Sequence, residues 1–168
     1  MANLAPVGRF ARTAVAALGI SVAGLGFIER EEGTVNRAYL DSIGKPTICT
    51  GHTGPEVRLG LKYTDAQCAE LLRTDTNSAS AAIRRAIKVP LYQYEFDALV
   101  SFCFNVGNYN CTTSTMFALI NQGRYEDAGK QFVRWKYAKK RDCSIRSNNC
   151  YGVYLRRLNE ASLWGGQY

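Results

Sequence analysis

This chain is poor in the residues that metal and nucleophilic chemistry usually draw on. It has one histidine, His52, and none of its six cysteines belongs to a Cys-x-x-Cys pair, so a zinc site has no ligand set to use. Nothing in the sequence asks for a metal or a cofactor. A long linker, a low-complexity tract and an internal repeat are also missing, which excludes solenoids and multi-domain arrays. Acidic residues are scarce: 14 Asp and Glu stand against 21 Lys and Arg, a formal charge of +7. That excess favours polyanions such as nucleic acid, acidic lipid headgroups or an anionic cell wall, without choosing among them. What the chain does have is 46% hydrophobic residues over 168 positions. This is enough to bury the core of one compact domain, and too much for a disordered chain.

The cysteines are even in number and fall in near pairs: Cys49 and Cys68, Cys103 and Cys111, Cys143 and Cys150. Six cysteines permit many connectivities, and bridges between neighbours in sequence are the expectation. Such bridges place the protein in an oxidising compartment. Buried free thiols are the plain alternative.

Residues 1–12 carry Arg9 and Arg12 and no acid, Thr13 to Ile28 runs for 16 residues without a charge, and Glu29-Arg30-Glu31-Glu32 ends the run. Positive charge before the span and acids after it predict an N-in, C-out orientation in a bilayer. As a helix the run is about 24 Å long, short of a hydrocarbon core of about 30 Å. Nine of its 16 residues are Gly, Ala, Ser or Thr. Three membrane readings compete: a signal peptide cleaved after the small-x-small step Ser21-Val22-Ala23, a permanent anchor, and a marginal anchor that inserts during export and later leaves the bilayer. Short length and small residues favour the third, and a helix of the soluble core is the remaining alternative. The expected division is a signal-anchor segment over 1–28 and a folded domain over 29–168.

Turn formers crowd the next stretch, with strand candidates at Arg37–Leu40, Thr47–Thr50 and Glu56–Leu59, a small antiparallel lobe over about 35–60. Helices fill the remainder, from about 61 to 168. Thr64-Asp-Ala-Gln67 fits a capping box, and apolar residues at helical spacing follow until Pro90. Further helices are expected up to Gly107, from Ser114 to Gln122, from Tyr125 to Tyr137 and from Tyr151 to Trp164. The class is α+β, a small β lobe and a mainly helical one behind an N-terminal hydrophobic segment.

The segment Glu32 to Gly54 holds the densest chemistry: Glu32, Asp41, Thr47 and a Gly-His-Thr-Gly turn. Two carboxylates held apart by a short folded segment suit glycosidic bond cleavage, where one donates a proton to the leaving oxygen and the other activates water or stabilises a cationic sugar. The pattern Glu-x8-Asp-x5-Thr followed by Gly-His-Thr-Gly resembles the catalytic segment of the phage-type lysozymes, the endolysins of glycoside hydrolase family 24. Tyr-Thr-Asp-Ala-Gln-Cys at 63–68, Ser-Phe-Cys-Phe-Asn-Val-Gly at 101–107, Ser-Thr-Met at 114–116, Ile-Asn-Gln-Gly at 120–123 and Leu-Arg-Arg-Leu-Asn-Glu at 155–160 resemble further blocks of that family, in order. The N-terminus resembles the signal-anchor-release segment of a subset of these endolysins. Some of that subset activate through a cysteine in the anchor. This chain has none before Cys49, so removal of the anchor and refolding around Glu32 is the route left.

The resemblance implies a lysozyme-like fold and hydrolysis of the β-1,4 link between N-acetylmuramic acid and N-acetylglucosamine in peptidoglycan, with inversion at the anomeric carbon. Glu32 is then the general acid, and Asp41 with Thr47 directs water. The plain alternatives are a surface carboxylate for Glu32, a turn residue for Asp41 and a solvent-facing strand threonine for Thr47. Glu31 would leave the helix about 100° away. His52 is expected to be structural, bonded to Asp75. Asn105 either binds a sugar amide or caps its helix, and Arg156 and Arg157 either stand near the acids or lie on a solvated face. The basic run Arg134, Lys136, Lys139, Lys140, Arg141 and Arg146 is a solvated face or meets an anionic surface. Nucleic acid is not an expected partner for an exported, disulfide-bonded chain. The expected partners are peptidoglycan and, through residues 1–28, the inner membrane, for a monomer that then acts in the periplasm. A chitinase-like glycosidase, a non-catalytic wall-binding module and a membrane-disrupting protein are the rival functions.

Overall fold

The structure is a computed structural model that describes residues 11–41 and 44–168. Arg9, with the positive flank it contributes, and the Ser42-Ile43 step of the Glu32–Gly54 segment lie outside the described residues. The fold is α+β. Seven helices are described: α1 (Val22–Glu32), α2 (Asp65–Ala86), α3 (Gln93–Val106), α4 (Asn108–Thr112), α5 (Thr115–Asn121), α6 (Tyr125–Gly129) and α7 (Tyr151–Trp164). Two small antiparallel hairpins accompany them, β1 (Val35–Leu40) with β2 (Pro46–Cys49), and β3 (Tyr137–Ala138) with β4 (Arg141–Asp142).

The axis of the helical lobe is α3. Nine consecutive residues, Glu95 to Cys103, are buried, so the helix is surrounded rather than amphipathic. It packs against α1, α2, α4 and α7. Phe96, Leu99 and Phe102 meet Met116, Phe132 and Trp164 in one core. A smaller cluster of Ala38, Ile48, Cys49, Val57 and Cys68 fills the β lobe. Helix α2 begins as its sequence requires: the Thr64 hydroxyl accepts from Gln67 N–H, and the Gln67 side chain accepts from Thr64 N–H, closing two of the free donors at the helix start. Disulfides join Cys49 to Cys68, Cys103 to Cys111 and Cys143 to Cys150. The first ties the end of β2 to α2, the second ties α3 to α4, and the third closes the loop before α7.

Three segments differ from their sequence patterns. Glu56–Leu59 is a turn, and the third edge of the β lobe is a single bridge between Arg37 and Lys62. Pro55 and Gly60 bracket the segment, and Val57 N–H turns back to the Gly54 carbonyl at 3.1 Å. The helix expected over Tyr125–Tyr137 stops at Gly129. A Cβ there would lie 2.7 Å from Trp164 Cδ1, so the chain passes directly under that indole. A 3-10 turn follows at Phe132–Arg134, whose spacing of three points Phe132 and Trp135 at the same ring. Both stand edge-on to Phe102, at centroid distances of 5.5 and 5.2 Å. Tyr137 then enters the second hairpin.

The third difference concerns the uncharged N-terminal run. Only its second half joins α1. Val15–Ala17 form a separate 3-10 turn, and Val15, Leu18, Leu25, Phe27 and Ile28 are buried in the helical core. No described helix is long and apolar enough to cross a membrane. Polar groups fix the register of the docked run. Thr13 and Leu91 exchange both backbone hydrogen bonds, at 2.7 and 2.9 Å. Arg12 donates to both oxygens of buried Glu95, at 2.7 and 3.0 Å, and its guanidinium lies over the rings of Tyr125 and Tyr92. Ser21, the N-cap of α1, donates through its N–H and its hydroxyl to fully buried Asp97, at 3.0 and 2.5 Å. Tyr168 OH donates to the same carboxylate at 2.8 Å, and burial, then the bond to Asp97, pushes this phenol up to about 12.

Gly24 makes the close approach possible, because a Cβ at that position would lie 2.6 Å from Asp97 Cγ. Gly24→Val is therefore expected to lower the stability of the folded protein by about 1–3 kcal/mol, the usual range for overpacking. Urea unfolding checks this, and an unchanged midpoint would contradict the docked register.

Candidate active site

Helix α1 ends at Glu32 because Gly33 takes φ 74° and its N–H closes onto the Glu29 carbonyl at 2.8 Å. Glu32 therefore stands on the last turn, where the chain leaves the helical lobe for the β hairpin. Its Oε1 accepts from Arg156 Nη1 at 2.5 Å, and its Oε2 has no partner among the described residues. Glu31 faces elsewhere and accepts from Asn159 Nδ2 at 2.8 Å.

Arg156 is itself held from behind. Glu160 is fully buried, and its Oε1 accepts from Arg156 Nε at 3.2 Å, Arg157 Nη2 at 3.1 Å and Ser101 Oγ at 2.9 Å. Arg157 Nη2 also donates to Asn105 Oδ1 at 2.9 Å, and the guanidinium lies 5.2 Å from the Phe102 ring centroid. One carboxylate thus positions two guanidiniums, one gripping Glu32 and the other gripping Asn105. Burial pushes the Glu160 carboxyl up, against the pull of Arg157 and Arg156. Burial likewise pushes Arg157 down, opposed by Glu160. A guanidinium only donates, so the Asn105 atom that faces Arg157 is the oxygen, and the amide NH2 is left to other partners. Asn105 is exposed and does not cap α3. Arg156 and Arg157 are buried, which removes the solvated-face alternative.

Across the hairpin, Asp41 follows β1 and Thr47 lies in β2. Asp41 Oδ1 accepts from Lys45 N–H at 2.9 Å, and Thr47 Oγ1 donates to the Lys45 carbonyl at 3.1 Å. The single residue Lys45 thus ties the two side chains to the same turn. Thr47 is only 3% exposed, so it is no solvent-facing strand threonine. It sits opposite Tyr39 in the ladder.

The Gly-His-Thr-Gly turn closes on Ile48 through two backbone bonds, 3.0 and 2.9 Å, with Gly51 at φ 80°. It presents His52 to two acids: Nδ1 lies 2.8 Å from Asp75 on α2, and Nε2 lies 2.7 Å from Glu56. Ionised carboxylates only accept, so both ring nitrogens carry protons in this arrangement. Burial works against the charge, but the hydrogen bonds His52 donates to Glu56 and Asp75 outweigh it and hold His52 above its ordinary value. His52 is a clasp between the turn and α2. Among the described residues no group of three or more His, Cys, Asp or Glu could hold a metal ion.

Glu160, Glu56, Glu95 and Asp97 are anchors that no sequence motif marks. Glu160 was within reach of the sequence, since it stands three and four residues after Arg157 and Arg156 on one helix face. Glu95 and Asp97 had no local signal, because their partners are 83 and 76 residues away.

A family model described as phage lysozyme matches residues 29–160. A protein named SAR-endolysin from Escherichia phage 933W is 37% identical over 145 residues, covering 83% of this chain and 82% of its own. Among solved structures, a crystal structure of P22 lysozyme superposes with a TM-score of 0.79 at 36% identity, over 88% of this chain and 98% of that one. The muramidase domain of SpmX from Asticaccaulis excentricus superposes with a TM-score of 0.76 at 30% identity, over 88% of this chain and 97% of that one.

Two outcomes follow from the geometry. Glu160→Ala strands two buried guanidiniums and is expected to cost about 3–5 kcal/mol of stability, the range for breaking a buried ion pair from one side; denaturant unfolding measures it. The His52 clasp is pH-dependent with a fixed sign. Its folded pKa lies above the unfolded one, so its contribution is complete below about pH 6.5 and is lost as pH rises through the folded value. Unfolding of wild type and His52→Gln at a series of pH values should show a gap that narrows on the alkaline side. A gap that widens there would contradict the assignment.

Proposed function

The chain belongs to the phage lysozyme family and is a glycoside hydrolase of the endolysin type, and we propose that it cleaves the β-1,4 bond between N-acetylmuramic acid and N-acetylglucosamine in peptidoglycan, with Glu32 as general acid. The observation that carries this reading is the asymmetric hold on Glu32. Arg156 fixes Oε1 in place, and Oε2 remains for a proton directed at the glycosidic oxygen. The acid is positioned by a buried support, as general acid catalysis requires. Asp41, in the turn between β1 and β2, orients the attacking water together with the Thr47 hydroxyl. Direct attack by that water inverts the anomeric carbon. The Asn105 amide NH2 is available to a sugar hydroxyl or N-acetyl carbonyl. The similarity to a muramidase domain supports the choice of bond.

Topology gates this site in our reading. Membrane insertion would require Thr13–Ile28 to form one continuous helix facing lipid. The folded form breaks that run at Ser21 and buries five of its apolar side chains in the core. At about 1.5–3 kcal/mol each, that burial is on the order of 10 kcal/mol as an upper bound, a scale that can compete with a short, small-residue span. The two conformations exclude each other, and only the folded one places Glu32 against Arg156. The anchored chain is therefore inactive at the inner membrane, oriented N-in and C-out, and release into the periplasm creates the site.

Glu32→Gln is expected to lower hydrolysis of purified peptidoglycan by at least about a hundredfold, the lower bound for general acid catalysis, with new reducing ends at muramic acid in the wild-type digest. Equal rates, or reducing ends at glucosamine, would contradict the assignment. Mass spectrometry of the soluble active protein should find residues 1–28 intact. A mature chain starting at Gly24 would mean cleavage instead of release.

A further inference from the structure

The proposed catalysis and gating leave unused the basic run after the 3-10 turn. From Arg134 to Cys150 the chain carries six cations and one acid, Asp142. Lys136 takes that acid at 2.8 Å. Among the described residues, Arg134, Lys139, Lys140, Arg141 and Arg146 have no carboxylate partner. These five unneutralised cations sit in a chain whose whole excess is +7.

Their backbone setting is unusual. Lys139 and Lys140 are the two central residues of the β3–β4 hairpin, and both have positive φ, 48° and 66°. A two-residue turn of that form normally takes Asn-Gly or Asp-Gly, because L side chains disfavour the left-handed region. Two lysines therefore occupy the tip against its local preference. The Cys143–Cys150 bridge closes the following loop, and Arg146 is laid over the Tyr151 ring at 4.1 Å. Beside the cations stand two well-exposed apolar side chains, Tyr137 at 60% and Ile145 at 51%.

We propose that this hairpin and its stapled loop are a docking surface for a bilayer carrying anionic phospholipid headgroups. Lysines and arginines meet the phosphates, while Tyr137 and Ile145 enter the headgroup boundary, where amphipathic and aliphatic side chains are stable. Wall carboxylates alone would be matched by the cations and would leave the exposed apolar pair without a purpose. Among the described residues no hydrogen bond or ion pair joins these cations to Glu32 or to the docked N-terminal run, so the proposal stands apart from the hydrolysis itself.

The test uses the full oxidised chain and sedimentation with phosphatidylcholine vesicles, with and without phosphatidylglycerol. Lys139→Asn combined with Lys140→Gly removes two charges and installs the residues the turn prefers, so the variant should melt no lower than wild type. Each cation near an anionic surface contributes about fivefold in partition, so the double variant should lose about 25-fold on phosphatidylglycerol vesicles. Binding of the wild type should weaken with added salt. Hydrolysis of purified peptidoglycan should be unchanged, which separates this proposal from the fate of the catalytic one. Three results would each overturn it: no preference of the wild type for anionic vesicles, equal binding by the two proteins, or a loss confined to purified wall material.

Discussion

Helix α1 is held at both ends by buried ions, and the geometry of the site depends on that hold. At its N-terminus the Asp97 carboxylate accepts the N–H and hydroxyl of Ser21. At its C-terminus the Arg156 guanidinium donates to Glu32. The signs match the helix dipole, an anion at the positive end and a cation at the negative end. The first contact fixes where the helix starts on α3, and eleven residues later the second decides where the acid stands. Neither ion is free to follow a shifted helix. Asp97 lies within buried α3, and Arg156 is clamped by Glu160. Polar groups of this kind add little net stability compared with apolar packing, but they penalise every wrong register, because each would leave a buried charge unpaired.

The arrangement ties chemistry to topology. The uncharged run that supports α1 is also the only part of the N-terminal region apolar enough to be drawn into a bilayer. In the folded form it is discontinuous, with a 3-10 turn, a stretch without helix and then α1. The β lobe is secured by different means. The Cys49–Cys68 bridge and the His52 clasp both tie it to α2, so Asp41 and Thr47 rest on a support that does not involve the N-terminal run. Glu32 and the Asp41–Thr47 pair thus rest on separate supports, and in the reading proposed above they act together only when α1 is docked.

Much of the site could be read from the sequence, since its signals are local. Glu32, Asp41, Thr47 and His52 fall within 21 consecutive residues, and the Thr64 capping box and Gly107 helix stop are local rules that the fold obeys. The parts that could not be read depend on distant contacts. The end of the helix at Gly129 is dictated by the Trp164 indole, and the burial of Val15 and Leu18 by a core assembled from α2 and α3. Hydropathy alone describes Thr13–Ile28 equally well as a marginal span or a core segment. The residues that decide for the core here, Glu95 and Asp97, lie on a helix far along the chain. The β3–β4 hairpin was hidden for another reason: two lysines at positive φ are a turn that residue preferences argue against.

The central claim is that docking of α1 creates the site, and it is tested most directly by measuring two properties of one sample. Asp97→Asn weakens the hold on Ser21 without touching Glu32. Hydrogen exchange of the α1 amides and hydrolysis of purified peptidoglycan should be followed together, against wild type. The account predicts that α1 protection and activity fall together, with exchange speeding up across Val22–Glu32 and hydrolysis declining, while α2 and the β lobe stay protected. An α1 that exchanges freely in a fully active enzyme would contradict it.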